Sequence, residues 1–167
     1  MLVSLDELNL LSAEEFSEAL RPLFEAARPL ADALYARRPF VSYTALIDSA
    51  EALALDLDEP PQVEIVNAHP RIGENPRRLS ASSFREQGYD RPAGDDPILL
   101  GDLAELNQQY EGHFGFRFVV FVNKRPKSEI VGVLRERLKN SREEELRTGL
   151  RALFLIARDR LAALPEV

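Results

Sequence analysis

Apolar residues recur along this chain with helical spacing far more often than with the alternation of strands. Leu99, Leu103, Leu106 and Tyr110 fall at i, i+4, i+7 and i+11, a single stripe on a helix that restarts at Asp96-Pro97. Ile130, Leu134 and Leu138 share one face of a helix that follows Pro126. Leu146, Leu150, Leu153, Ala157, Leu161 and Leu164 give the last helix an inward face. Ser12 with Glu15 and Ser141 with Glu144 have the spacing of capping boxes, and Phe16, Leu20 and Leu23 follow the first at helical intervals. Pro22 and Pro29 suit first helical positions, where a missing N–H has no intrahelical partner, so the N-terminal part reads as short helices broken at those prolines. A further helix is predicted from about Tyr43 to Leu55. Pro60-Pro61 starts a short one that carries Val63, Ile65 and Val66 to His69-Pro70.

Two stretches depart from this pattern. Residues 70–96 contain Arg71, Gly73, Asn75, Pro76, Gly88, Pro92, Gly94 and two adjacent aspartates, and read as irregular chain around a helical turn near Ser80–Gln87. A loop that long in a small domain is often functional. Phe116 to Val122 is β-branched and aromatic, a buried strand by propensity alone, yet no second strand signal of that quality exists to pair with it. It is either a buried helical segment or extended chain threaded through the core. The pattern reads as mostly α, in a single domain over residues 1–167.

Composition narrows the function. The chain has 167 residues, 45% apolar and 29% charged, which suits one ordinary globular domain. A net charge of −7 argues against a nucleic-acid partner, where a basic stripe is the footprint. The absence of cysteine excludes disulfides, thiolate nucleophiles and sulfur-bound metals. His69 and His113 are the only histidines, too few for a multi-histidine metal centre. The opening MLVSLDELNLLSAEE has acids where a signal peptide has a basic region, and Leu164-Pro165-Glu166-Val167 is not a peroxisomal address. No apolar run approaches the ~20 residues of a membrane span. The expectation is a cytoplasmic protein with no membrane partner.

Candidate chemistry centres on a few side chains. His69 has the imidazole pKa that allows proton traffic both ways near neutrality, about 6.5, though a histidine at a helix C-terminus can equally serve the last carbonyls and the dipole. Ser83, Glu86 and Gln87 can share one face of a short polar helix, either gripping a small polar molecule or forming a solvated turn. Arg158 and Arg160 interrupt the late apolar helix, and could hold a carboxylate or urea carbonyl in a pocket or snorkel from its flank. The run Glu143-Glu144-Glu145 reads as a solvated face at a helix start, and His113 as a helix end.

In order and at these separations, several short motifs are specific. They include Leu8-Asn9, Arg38-Pro39-Phe40, Ala68-His69-Pro70, Ser83-Phe84-Arg85-Glu86-Gln87, Leu106-Asn107-Gln108-Gln109-Tyr110, Phe114-Gly115-Phe116-Arg117-Phe118-Val119-Val120, Arg137-Leu138-Lys139-Asn140, Glu145-Leu146 and Arg160-Leu161. Through them the chain resembles the 2-oxo-4-hydroxy-4-carboxy-5-ureidoimidazoline (OHCU) decarboxylases, which end the oxidative route from urate to S-allantoin. The resemblance implies an all-helical fold, a homodimer, no cofactor and no metal. It places the catalytic histidine on His69 and the second catalytic group on Glu86. The implied substrate contacts are Pro70, then Ser83, Phe84, Arg85, Glu86 and Gln87, then Phe118, Val119, Val120, Phe121 and Val122, partly through their backbone, and Arg160. The chain departs from the family pattern at Arg71-Ile72-Gly73, at Gly88-Tyr89-Asp90-Arg91-Pro92, at His113, and at Arg117, where a proline is usual.

The implied chemistry suits those residue types. The substrate carries a carboxylate and a hydroxyl on one carbon beside a carbon–nitrogen double bond, so it brings its own electron sink. What remains is proton management: His69 on the hydroxyl proton, Glu86 on the hydroxyl or a ring N–H while keeping His69 in a productive tautomer. Arg160 would hold the anionic or ureido end, Ser83 and Gln87 the heteroatoms, and Phe118, Val120 and Val122 would keep the pocket dry. The alternatives are a non-catalytic all-α ureide-binding or regulatory module of the same fold, and a ureide hydrolase, which would need an activated water and would respond to a chelator.

Overall fold

In the computed structural model, residues 2–90 and 96–164 are described. Arg91, Pro92, Gly94 and Asp95 of the expected irregular loop, and Pro165, Glu166 and Val167, lie outside the described residues. Helix boundaries follow the punctuation of the sequence. Helices α1 (Leu5–Leu10) and α2 (Ala13–Ala19) are capped by Ser4 and by the Ser12–Glu15 capping box. Helices α3 (Arg21–Phe24) and α4 (Arg28–Tyr35) each carry a proline in the first turn, Pro22 and Pro29, as the break between short helices requires. Helix α5 (Tyr43–Asp56) is capped by Ser42, and Pro60 and Pro61 occupy the start of α6 (Glu59–Ala68). A 3₁₀ turn at Pro76–Arg78 leads to the short α7 (Ala81–Glu86), capped by Ser80. Asp96 caps α8 (Pro97–Phe114), which ends on the left-handed Gly115; α9 (Lys127–Arg137) and α10 (Arg142–Ala163) complete the chain.

Helix α10 is the central element. It packs against α3, α5 and α6, and buries Leu146, Leu150, Leu153 and Ala157, with Leu161 and Leu164 half-buried at its end. Helices α8 and α9 pair beside it, with Leu103, Leu106, Tyr110, Ile130 and Leu134 buried. Among the described residues there is no strand, so the fold class is all-α. One expectation is corrected. Glu143 and Glu144 are exposed, but Glu145 is fully buried, accepting hydrogen bonds from Tyr110 Oη (2.5 Å), Arg137 Nε (2.8 Å) and Asn140 Nδ2 (2.8 Å). A buried carboxylate survives only with such partners.

The strand-like Phe116–Val122 segment is extended chain with no ladder. Its apolar side chains explain the burial: Phe116, Phe118, Val119 and Val122 are buried, with Phe118 edge-on to Tyr110 at 5.3 Å. The backbone would be left short of partners there, and arginines supply them. Arg137 donates to the Val119 carbonyl (2.6 Å) with its guanidinium over the Phe118 ring, while Arg125 donates to the carbonyls of Phe121 (2.7 Å) and Val122 (3.0 Å). Local propensity is satisfied as extension, and tertiary donors replace the missing neighbouring strand.

Candidate functional site

The C-terminal end of α6, helix α7, the extended segment and the C-terminal half of α10 enclose a cavity of about 550 Å³. His69 enters it because α6 stops there. Pro70 disfavours helical geometry at the preceding residue, and His69 takes extended angles (φ −77°, ψ 138°) as the C-cap. Its side chain is 9% exposed, and its ring nitrogens make no hydrogen bond among the described residues. Burial pushes its pKa down to about 3, helped by the positive charges of Arg160 and Arg117 and opposed by Glu25. Near neutral pH it is an uncharged imidazole, able to accept a proton. The alternative reading, a histidine serving the helix's last carbonyls, is not realised by its ring: Arg117 does that work, donating to the carbonyls of Asn67 (2.8 Å) and His69 (3.1 Å). Asn67 returns the contact by accepting the Arg117 N–H at 2.9 Å.

Glu86 lies on the last turn of α7 and lines the same cavity as His69. Its carboxylate takes both Nε (2.5 Å) and Nη2 (3.0 Å) of Arg160. Burial raises the Glu86 pKa, and Arg160 only partly offsets it. Arg160 is 2% exposed and heavily engaged: Nη2 also reaches Glu25 (2.9 Å) and Ser83 Oγ (2.9 Å), and Nη1 faces the carbonyls of Pro22 and Leu23 at 3.4 Å. Burial works against the Arg160 charge, but the two glutamates outweigh it and its pKa is raised. For Glu25 too, burial alone would raise the pKa; Arg160 and the hydroxyls of Ser83 and Ser80 outweigh it, and the net direction is down.

The remaining residues singled out by sequence separate into two groups. Pro70, Arg85, Gln87, Phe118, Val119, Val120, Phe121 and Val122 line the cavity with His69, Glu86 and Arg160. Ser83 and Phe84 do not line it: Ser83 is buried behind Arg160, hydrogen-bonded to it and to Glu25, and Phe84 packs on Tyr89 with centroids 5.6 Å apart. Gln87 lines it with its amide already spent, accepting from Gly73 N–H (2.8 Å) and donating to the Arg71 carbonyl (2.9 Å). Arg85 is exposed and makes no ion pair among the described residues. Arg158 points away from the cavity to Asp48 (2.9 Å) and Glu51 (2.6 Å), and exposed His113 lies against Phe114. The carbonyls of Val119, Phe121 and Val122 are held by Arg137 and Arg125, while the N–H groups of Val119 to Val122 have no partner among the described residues. Extended chain whose acceptors are tied and whose donors are open suits an anionic or carbonyl-rich ligand.

Sequence reading missed Glu25 and treated Arg117 only as a departure. Nothing local marks Glu25, which sits in a left-handed conformation (φ 55°) after α3 and reaches the site only through the fold. Arg125 and Arg137 were unreadable as wall supports until the conformation of the wall was known. Among the described residues no cluster of three or more histidine, aspartate or glutamate side chains is arranged to hold a metal ion, and no helix is long and apolar enough to cross a membrane.

The profile of the family described as OHCU decarboxylase matches residues 9–162. The chain is 31% identical over 162 residues to the uric acid degradation bifunctional protein PucL of Bacillus subtilis, covering 95% of the chain but 32% of that protein, so it spans about a third of that relative's length. It is 30% identical over 158 residues to 2-oxo-4-hydroxy-4-carboxy-5-ureidoimidazoline decarboxylase of Amia calva, covering 93% of the chain and 90% of the relative. A crystal structure of an OHCU decarboxylase in the presence of (S)-allantoin superimposes with a TM-score of 0.68 at 23% identity, over 92% of the chain and 97% of that protein, and shows a shared fold.

Proposed function

The chain belongs to the OHCU decarboxylase family, and from that premise we propose that it decarboxylates OHCU to S-allantoin in urate degradation, as a single domain over residues 1–167 and without a cofactor. The observation that carries the reading is the convergence of buried His69 and Arg160-paired Glu86 on one cavity of about 550 Å³, a volume suited to a small ligand.

The residues divide the work by their protonation states. Uncharged His69 accepts the substrate's hydroxyl proton as the bond to the carboxylate breaks; that electron pair moves into the ring toward the imine carbon, and CO₂ leaves. The imine nitrogen takes a proton in the same stage, and Glu86, the carboxyl group that lines the cavity, is placed to relay it. An imidazolium in this setting is a strong acid, because burial and the nearby arginines disfavour it. It therefore returns its proton readily to the ring carbon bearing the ureido group. Delivery from one wall sets the S configuration. A positioned acid–base group contributes typically 10²–10⁴-fold, roughly 3–5 kcal/mol of barrier.

Arg160 acts on substrate chiefly through Glu86, since its own donors are already engaged. Those N–H groups of Val119 to Val122 that face the cavity receive the substrate's oxygens, and Pro70, Phe118 and Val122 give the cavity apolar walls. Ser83 and Gln87 support the site from behind: Ser83 orients Arg160, and Gln87 ties α7 to the loop after His69.

The reading extends to a homodimer in the cytoplasm. Leu10 and Val41, each 86% exposed, are brought near one another by the paired hydrogen bonds of Asn9 with Phe40, an apolar patch of the kind that subunit interfaces cover. Light scattering on the purified protein tests the dimer. The activity is tested by generating OHCU in situ from urate, adding the protein, and following the appearance of optically active S-allantoin against spontaneous decay. A rate equal to that decay contradicts the assignment.

A further inference from the structure

We propose that Glu25 is a positioning residue of this site: it fixes Arg160 from behind as a permanent anion and so leaves Glu86 as the carboxyl group that carries a proton to the cavity. Its relevance to turnover rests on the decarboxylase reading; the division of labour between the two carboxyl groups stands on the geometry alone. One buried guanidinium faces two carboxylates, and the two are treated differently. Glu25 Oε1 receives three donors: Ser80 Oγ at 2.8 Å, Ser83 Oγ at 2.8 Å and Arg160 Nη2 at 2.9 Å. Glu86 receives Arg160 alone. Glu86 lines the cavity and Glu25 does not.

Three convergent donors stabilise a charged oxygen and oppose its protonation. With both carboxylates ionised the cluster would carry a net charge of −1 in a buried setting. A like charge nearby disfavours ionisation of the second group, so the partner with fewer hydrogen-bond donors holds the proton more readily. That partner is Glu86. The arrangement is built into the backbone as well: Glu25 sits at φ 55°, ψ −146°, a region that side-chain-bearing residues rarely adopt, and its N–H is held by the Arg21 carbonyl at 2.9 Å. This conformation turns the carboxylate away from the end of α3 and toward α7 and α10. The charged and titratable groups facing the pair are Arg160 and Asp159 of α10 and His69 at the end of α6.

Carboxyl ¹³C NMR across a pH titration of the full chain, with Glu25 and Glu86 assigned, tests the inference. In the wild-type protein Glu86 should titrate at higher pH than Glu25; the reverse order overturns the proposal, and this measurement needs no variant. In Glu25→Gln, which keeps an oxygen acceptor for both serine hydroxyls, the Glu86 midpoint should fall by about one pH unit or more. The alkaline limb of kcat against pH should move down with it, whereas a purely structural role would lower activity without moving the limb. An unmoved Glu86 midpoint in the folded variant also overturns it. Failure of the wild-type protein to form S-allantoin would contradict the decarboxylase reading and leave the titration order to judge Glu25.

Discussion

The guanidinium of Arg117, at the start of the segment that lines the cavity, reaches the main-chain carbonyl of His69 at 3.1 Å. Together with its bond to the Asn67 carbonyl, this caps the C-terminus of α6 with a positive charge and ties the base of the imidazole to the extended segment. Arg117 itself sits near Arg71, Glu111 and Glu74.

Arg117→Ala should therefore change both position and charge. Hydrogen bonds from a charged donor are worth about 1.5–3 kcal/mol, so kcat should fall roughly ten- to hundredfold. Loss of a positive charge raises the His69 pKa, so the acid limb of kcat/KM against pH should move to higher pH. Arg117→Lys should restore the limb more fully than the rate, because the ammonium keeps the charge without the planar fork.

The pH dependence of stability has a sign that can be checked. His69 has a native pKa near 3, below the ordinary value of about 6.5 for an unfolded chain. Between those values the unfolded state binds a proton that the native state does not, so stability is full above about pH 6.5 and declines as pH falls toward 3. Glu86, with a raised pKa, acts in the opposite sense. Comparison of the wild type with His69→Asn isolates the imidazole: between pH 6.5 and 4.5 the difference in unfolding free energy should acquire a slope of up to about 1.4 kcal/mol per pH unit. Parallel urea melts across that range would contradict it.

Removal of Arg160 should cost the fold more than a surface charge would. Arg160→Ala leaves Glu25 and Glu86 facing one another without their common partner, and breaking a buried pair in this way costs about 3–5 kcal/mol. Urea denaturation should show the loss at pH 7. It should shrink as pH is lowered through the range where the two carboxyl groups protonate.

Arg125 offers the contrasting case. Its side chain is a third exposed and its bonds go to the carbonyls of Phe121 and Val122, outside the charged cluster. Arg125→Ala should leave the urea midpoint close to that of the wild type but let the wall relax, raising KM by roughly tenfold, the equivalent of about 1.4 kcal/mol.

How much the sequence could reveal depended on whether a residue's role was local. Capping boxes at Ser12 and Ser141, prolines at 22 and 29, and the stripe ending at Tyr110 are local signals, and each element forms where they place it. The segment after Gly115 was undecidable locally because its conformation depends on donors from Arg125 and Arg137, remote from the propensity of Phe and Val. The same holds for charge. Glu145 reads as one of three acids at a helix start, and only tertiary packing puts it beneath Tyr110 and Arg137. Within the site, His69, Glu86 and Arg160 were candidates by residue type, each with a bland alternative, and the family pattern singled them out, Arg160 over Arg158 included. That Arg160 would be engaged by two carboxylates, one of them Glu25, required the fold, because α3, α7 and α10 meet only in three dimensions.

The central claim is that one neutral, buried imidazole moves the protons of a cofactor-free decarboxylation. It is tested most directly by the rate of S-allantoin formation from freshly generated OHCU, followed by circular dichroism, for the wild type and His69→Asn side by side. The wild type should outpace spontaneous decay, and the variant, with its helical signal intact, should fall by at least about 10²-fold or to the spontaneous rate. A folded variant that still produces S-allantoin at near the wild-type rate would contradict the account.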